Sequence, residues 1–343
     1  MSPEAELVEA LPSGRNGRSS KFDTFKFNQE VLVIAIWLIL FVGFSIVLPK
    51  FLTTGNIIIL LNNVSILGTL AIGMGLIVVG RGIDLTMVAL MVTGIGIAIW
   101  TANLGIDFTY TVFIGALFVA AVGLFSGVMI AFGEIPSIFT TLAIASSAYG
   151  LGRILSPVYE FYPHKNVPWL QVIGSARPLG IPVPIFIFAA VAVLMSLFLK
   201  KTRFGRFVHA TGDNPNAART MGLPTRPLTV AEFVLSALIG YTAGIIMLGL
   251  VGGMNTQLYN SSLVYDVILV VVLGGIGLSG GKGGVRNVIV GTIFVGTLIN
   301  GMTILNFSYS IQNLIKCLIL LSAMAMDAVL NPRDEQTSQS GDI

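Results

Sequence analysis

Charge is what this 343-residue sequence has least of. Asp, Glu, Lys and Arg make up 10%, hydrophobic residues 55%, and the mean hydropathy is +0.89. A water-soluble protein covers itself with about 25% charged residues, so lipid must solvate much of this surface. Cysteine is almost missing too. The single Cys317 lies inside an apolar run, which excludes a disulfide framework and any cysteine-based metal site. The two histidines, His164 and His209, are far apart in the chain and form no HExxH zinc helix. No Gly-x-x-x-x-Gly-Lys-Ser/Thr phosphate loop occurs either, so nothing here hydrolyses a nucleotide.

Long apolar runs are abundant. Read against their polar punctuation, they predict an all-α polytopic membrane protein of about ten transmembrane helices. The expected spans are 31–48, 57–79, 85–101, 110–132, 135–155, 183–199, 228–251, 263–278, 288–305 and 311–330. Residues 30–330 then form one transmembrane domain, between a disordered N-terminal tail (1–29) and a C-terminal tail (331–343). The first tail has no apolar core and is not a cleavable signal peptide. The net charge of +3 is not gathered on an amphipathic face, so it argues for no nucleic acid. Arg15, Arg18, Lys21, Lys26, Arg81, Lys200, Lys201, Arg203, Arg206, Arg219, Arg226, Lys282, Arg286 and Arg333 fall on one side of the predicted topology, against Lys50, Lys165 and Arg177 in loops on the other, with Arg153 and Lys316 near helix ends there. Positive loops stay in the cytoplasm, which places both termini there.

Small residues recur at close spacing, as in Gly68, Gly73, Gly75 and Gly291, Gly296, Gly301, and predict tightly packed helices. Polar groups inside the spans are few and uncharged. Asn62, Asn63 and Ser65, Tyr149 with Ser146 and Ser147, and Asn300, Thr303 and Asn306 are candidates for lining a path. The competing reading of each amide is a helix–helix hydrogen bond. The main charges near helices are Arg81, Asp84, Glu134 and Asp266, the first three at expected cytoplasmic ends, which argues against ion coupling.

The most informative segment is the basic loop 200–227. Asn214 suits an N-cap, Pro215 the first helical position and Gly222 the left-handed position after the last turn, predicting a two-turn helix over 215–221. Ala218 and Met221 form an i, i+3 pair on it, and two isolated turns are marginal in water. Such an element either docks into a groove on a partner or rests on lipid headgroups. The run Leu278-Ser279-Gly280-Gly281-Lys282 looks like the signature of ABC ATPases, but without a phosphate loop it reads as part of a tight turn over 274–284.

Several stretches carry a resemblance: Ser65-Ile66-Leu67-Gly68, Gly82-Ile83-Asp84-Leu85-Thr86, Ile135-Pro136-Ser137-Ile138, Ile181-Pro182-Val183-Pro184, Arg203-Phe204-Gly205-Arg206, the 212–222 loop and the 273–281 glycine run. In this order the chain resembles permease subunits of bacterial ABC importers of the ribose/xylose/galactose class, within the broader group that includes branched-chain amino-acid permeases. The resemblance implies two permease copies in the inner membrane, a cytoplasmic ABC ATPase that binds ATP and Mg, and a periplasmic substrate-binding protein; this chain itself binds no cofactor. It makes the ATPase the docking partner, with Asp213, Asn214, Ala217, Ala218, Arg219, Met221 and Gly222 as coupling residues, and a monosaccharide or polyol the cargo. A branched-chain amino acid or, further off, an ion-coupled carrier are the alternatives. Two stretches depart from the family pattern: Gly80-Arg81-Gly82-Ile83-Asp84, which adds a cation, and Val264-Tyr265-Asp266-Val267.

Overall fold

The computed structural model describes residues 29–155, 160–163 and 167–330. Residues 1–28 of the tail expected over 1–29, the C-terminal tail (331–343), and His164 and Lys165 lie outside the described residues, and Gln29 already belongs to the first helix. In chain order the helices are α1 (Gln29–Val47), α2 (Thr54–Val79), α3 (Met87–Asn103), α4 (Phe108–Ala131), α5 (Ser137–Leu155), α6 (Pro168–Ser175), α7 (Val183–Lys201), α8 (Arg203–Asp213), α9 (Pro215–Thr220), α10 (Thr225–Val251), α11 (Leu263–Leu273), α12 (Val285–Ile304) and α13 (Tyr309–Leu330). Eight of them are long and apolar enough to cross a membrane; α3 and α11 are shorter apolar helices, so all ten expected apolar segments are helical.

Helix α2 sits at the centre, packed against α7, α10, α11 and α12, while α10 also packs on α3 and α4. Over 64–79 α2 is covered on every face: Leu70, Ile72, Met74 and Ile77 are fully buried, with Met91 and Ile95 of α3 and Ile246 of α10. Glycine sets the closest approaches. A Cβ on Gly127 of α4 would stand 2.6 Å from the Val230 backbone of α10, and one on Gly291 of α12 would collide with the Val270 carbonyl of α11. Between lipid-solvated helices such contacts, rather than hydrophobicity, hold the bundle. Polar links are sparse: Trp37 Nε1 of α1 donates to Thr297 Oγ1 of α12 at 3.1 Å. At the other side of the bundle from α8 and α9, β1 (Glu160–Phe161) pairs antiparallel with β2 (Met254–Asn255), placing Phe161 opposite Met254.

Three expectations need correction. The eighth segment, expected over 263–278, is helical only to Leu273. Gly275, Gly280, Gly281 and Gly283 then take positive φ and fold the chain into the expected turn. The polar connection after α5 contains α6, which starts at Pro168, a residue pre-set for a first helical position. Most of the basic loop is also helix: α8 occupies the stretch expected to be irregular before Asn214.

Candidate functional site

The site is built around α8 and α9. Thr202 starts α8, its Oγ1 accepting from Gly205 N at 3.3 Å, and Phe204, Phe207, Val208 and Thr211 recur at helical spacing on one side. Val208 and Gly212 are buried against the bundle. The His209 ring bridges two backbone carbonyls, with Nδ1 2.8 Å from Gly205 O and Nε2 3.1 Å from Gly283 O. Gly212 lies so close to the end of α2 that a Cβ there would strike the Val79 carbonyl, which itself accepts from Gly281 N at 2.8 Å. Three chain segments, α8, the end of α2 and the glycine turn, therefore meet backbone to backbone.

After this joint comes α9. The Asn214 side chain accepts from Ala217 N at 2.9 Å, Pro215 follows, and Gly222 closes the helix at φ +77° with Leu223 N donating to Ala218 O at 3.0 Å. These caps are as the sequence predicts. The apolar face is not. Ala218 is 3% exposed, packed within its own chain, whereas Met221 is 80% exposed. Met221, with exposed Asn216, Ala217, Arg219 and Thr220, is what this element offers outward, and Asp213 and Asn214 are exposed beside it.

Beside α9 lies an open cavity of about 870 Å³, lined by Asn214, Asn216, Ala217, Arg219 and Thr220 of this element together with the 80–82 turn, the end of α4 and the start of α10, while Met221 lies outside it. Its wall carries Arg81 and the half-exposed Arg226–Glu134 ion pair at 2.7 Å. Arg81 and Glu134 both hold left-handed backbone, φ +70° and +55°, sparsely populated for non-glycine residues. Glu232, absent from the sequence reading, is 3% exposed on α10 and packs against Gly80. Asp84 does not sit free at a helix end. It is buried, accepting from Thr86 N at 2.9 Å, from the Thr86 hydroxyl and from Ser236 Oγ at 2.8 Å, and burial pushes its carboxyl up.

The path candidates are scattered rather than gathered, and Ser146 and Ser147 of α5 donate to carbonyls of their own helix at 3.0 and 2.9 Å. Ser65 of α2 and Thr303 of α12 donate to the carbonyls of their own helices four residues back, Leu61 at 2.7 Å and Ile299 at 2.8 Å. Asn300 exchanges two 2.9 Å hydrogen bonds with Asn56, an interhelical pairing between α12 and α2. Asn63 is exposed, and Asn62 Oδ1 is shielded with no partner among the described residues. Tyr149 of α5 stacks edge-on against Tyr259, their centroids 5.1 Å apart, and Asn306 is a left-handed residue after α12 with φ +55°. None of them lines the large cavity.

Sequence reasoning placed Lys316 near a helix end and Asp266 alone. They form a buried ion pair between α13 and α11 at 2.6 Å, beside a second cavity of about 260 Å³. The available signal was two opposite charges inside apolar runs, which lipid tolerates only when paired. The run 277–281 spells Gly-x-Ser-x-Gly by letter, but it is a turn with no strand before it, so Ser279 sits on no nucleophile elbow.

The family described as branched-chain amino acid transport system / permease component matches residues 56–324. The chain is 30% identical to the ribose import permease protein of Escherichia coli K12 over 318 residues, 91% of this chain and 97% of the relative. It is 30% identical to the ribose import permease protein of Bacillus subtilis 168 over 289 residues, 84% and 89% of the two chains. It is 32% identical to the L-arabinose transport system permease protein of E. coli K12 over 324 residues, 92% and 95%. No solved structure matches. With ten apolar helices and a match spanning nearly all of them, the chain belongs to this family of multi-pass membrane permease components.

Proposed function

We propose that the chain is the permease subunit of an ABC importer that carries a monosaccharide or polyol across the bacterial inner membrane. The observation that carries this reading is end-to-end similarity to permeases named for ribose and for L-arabinose import. On this reading ATP and Mg bind a partner ATPase, a periplasmic protein delivers the sugar, and a second permease copy completes the path. Both termini are cytoplasmic, so α8 and α9 face the ATPase. The ATPase seats on Met221 and its exposed neighbours, while Asn214, Ala218 and Gly222 keep α9 rigid. Movement reaches the spanning helices through the Gly212–Val79–Gly281 joint.

The test is reconstitution of the chain with its ATPase and binding protein in proteoliposomes, with labelled D-ribose, L-arabinose and L-leucine. ATP-dependent uptake of a sugar is expected. Uptake of leucine alone would favour the second reading, a branched-chain amino-acid permease, which the family description favours. Uphill uptake by the chain alone under an imposed ion gradient would overturn the importer reading.

A further inference from the structure

Helix α7 has one exposed apolar side. Phe186, Val193, Leu194 and Leu197 lie on it, while Phe188, Ala192, Met195 and Leu199 are buried against the bundle. At i, i+3 and i+4 spacing the exposed side continues from Leu197 into Lys200 and Lys201, both exposed. The nineteen residues of α7 rise about 28 Å, close to the hydrocarbon thickness of about 30 Å. The two ammonium groups therefore leave the helix on its lipid side at the level of the headgroups, where lysine arms reach phosphate.

The start of α8 is held near that level. Thr202 donates from Oγ1 to Phe198 O at 2.6 Å and accepts from Gly205 N at 3.3 Å, joining the two helices. The Phe204 ring lies 5.0 Å from that of Phe198, tying the first turn of α8 to the last of α7. Gly205 and Val208 take the buried side of α8, and Arg203 and Arg206 stand exposed. Four cations thus fall within seven residues, and none of them is in an ion pair among the described residues. No carboxylate stands three or four positions from any of them; the first on α8 is Asp213, at its far end.

Like charges at i, i+3 beside the positive pole of a helix repel unless an anion sits among them. A topology signal does not need this crowding, since cations spread along a loop serve it equally well. Place decides which anion. Lys200 and Lys201 emerge from an apolar stripe, so what surrounds them is the headgroup layer. Phosphodiester oxygens there accept from ammonium and, two at a time, from guanidinium, and basic clusters at the cytoplasmic end of a spanning helix recognise anionic lipid. The ATPase of the importer reading seats on α9, more than two turns beyond Arg206, and leaves this stripe to lipid.

We propose that Lys200, Lys201, Arg203 and Arg206 bind the headgroup of an anionic phospholipid, which holds α8 against the membrane surface. This needs the spanning fold and not the importer reading, so the two stand or fall separately. The detergent-solubilised chain is offered equal amounts of phosphatidylglycerol and phosphatidylcholine with the same acyl chains, and the lipid retained is measured by native mass spectrometry. Wild type retains phosphatidylglycerol in preference, and excess inorganic phosphate does not displace it. Each cation beside an anionic surface is worth about fivefold. Lys200→Gln/Lys201→Gln/Arg203→Gln/Arg206→Gln therefore lowers the preference about tenfold or more, while Lys50→Gln, on the opposite side of the membrane, leaves it unchanged. Lys200→Gln/Lys201→Gln and Arg203→Gln/Arg206→Gln each lower it in part and carry the test if the fourfold variant fails to accumulate. Equal retention of both lipids by wild type, displacement by inorganic phosphate, or an undiminished preference in these variants overturns the site. So does loss of ATPase copurification with the lipid preference intact, which would assign the stripe to a protein partner.

Discussion

Replacing Gly212 by alanine sets two physical effects against each other. Gly212 lies within α8, where alanine is the better helix former by about 1 kcal/mol. Propensity alone therefore predicts a stabilised protein. Against it, the new methyl would enter the space of the Val79 carbonyl and stand 2.6 Å from Gly281 N. Both are backbone atoms and cannot rotate aside as a side chain does. Overpacking of this kind costs about 1–3 kcal/mol, and separating Gly281 N from Val79 O forfeits roughly another 1 kcal/mol. The balance is a net loss of about 1–3 kcal/mol, concentrated at the joint between α8, α2 and the glycine turn. Thermal unfolding of the detergent-solubilised chain should begin at lower temperature in Gly212→Ala than in wild type. In the reconstituted assembly, ATP hydrolysis should persist while sugar uptake falls, because the ATPase still docks but pushes on a displaced lever. A Gly212→Ala protein that melts above wild type and transports at the wild-type rate would refute the joint.

Met221→Asp places a charge on the outward face of α9 without touching the chain's own packing. Its melting temperature should match wild type while the ATPase no longer copurifies; retained copurification would move the docking surface elsewhere. Gly222→Val forces a β-branched residue to φ +77°, costing about 1–2 kcal/mol, and should reduce uptake with little change in membrane accumulation. Asn300→Leu leaves Asn56 without its interhelical partner and should destabilise by about 1–3 kcal/mol, whereas the Asn56→Leu/Asn300→Leu double variant should recover only part of that, because it also removes the 2.7 Å bond from Asn56 Nδ2 to Phe51 O. Urea-free thermal scans of the three proteins decide it, and an equally unstable double variant would count against the amide pairing.

The ten apolar segments were legible because lipid demands long uncharged runs, a signal that needs no knowledge of neighbours. The caps of α9 were legible for a similar reason: Asn214, Pro215 and Gly222 act within a few residues of themselves. What escaped was anything decided by distant contacts. α8 was hidden because its buried side is made of Phe204, Val208 and Thr211, interrupted by glycines and arginines that read as loop until their partners on α7 and α10 are seen. Ala218 looked like a docking contact because only the folded chain shows it already covered. Lys316 and Asp266 stand fifty positions apart in sequence, and their union depends on how α13 lies on α11.

The shortness of α11 has a consequence for motion. Eleven residues rise only about 16 Å, roughly half the hydrocarbon thickness. The C-terminal end of α11 lies level with the first turn of α12, where Asn287 Nδ2 donates to Gly274 O at 2.8 Å, and the glycine turn that follows meets the end of α2. Within the bundle the Val270 carbonyl of α11 sits against Gly291 of α12 with no room for a side chain. Parting α11 from α12 would break both contacts at once, so a rearrangement that lets cargo through is expected to carry these two helices and the turn between them together, with its hinges at their borders.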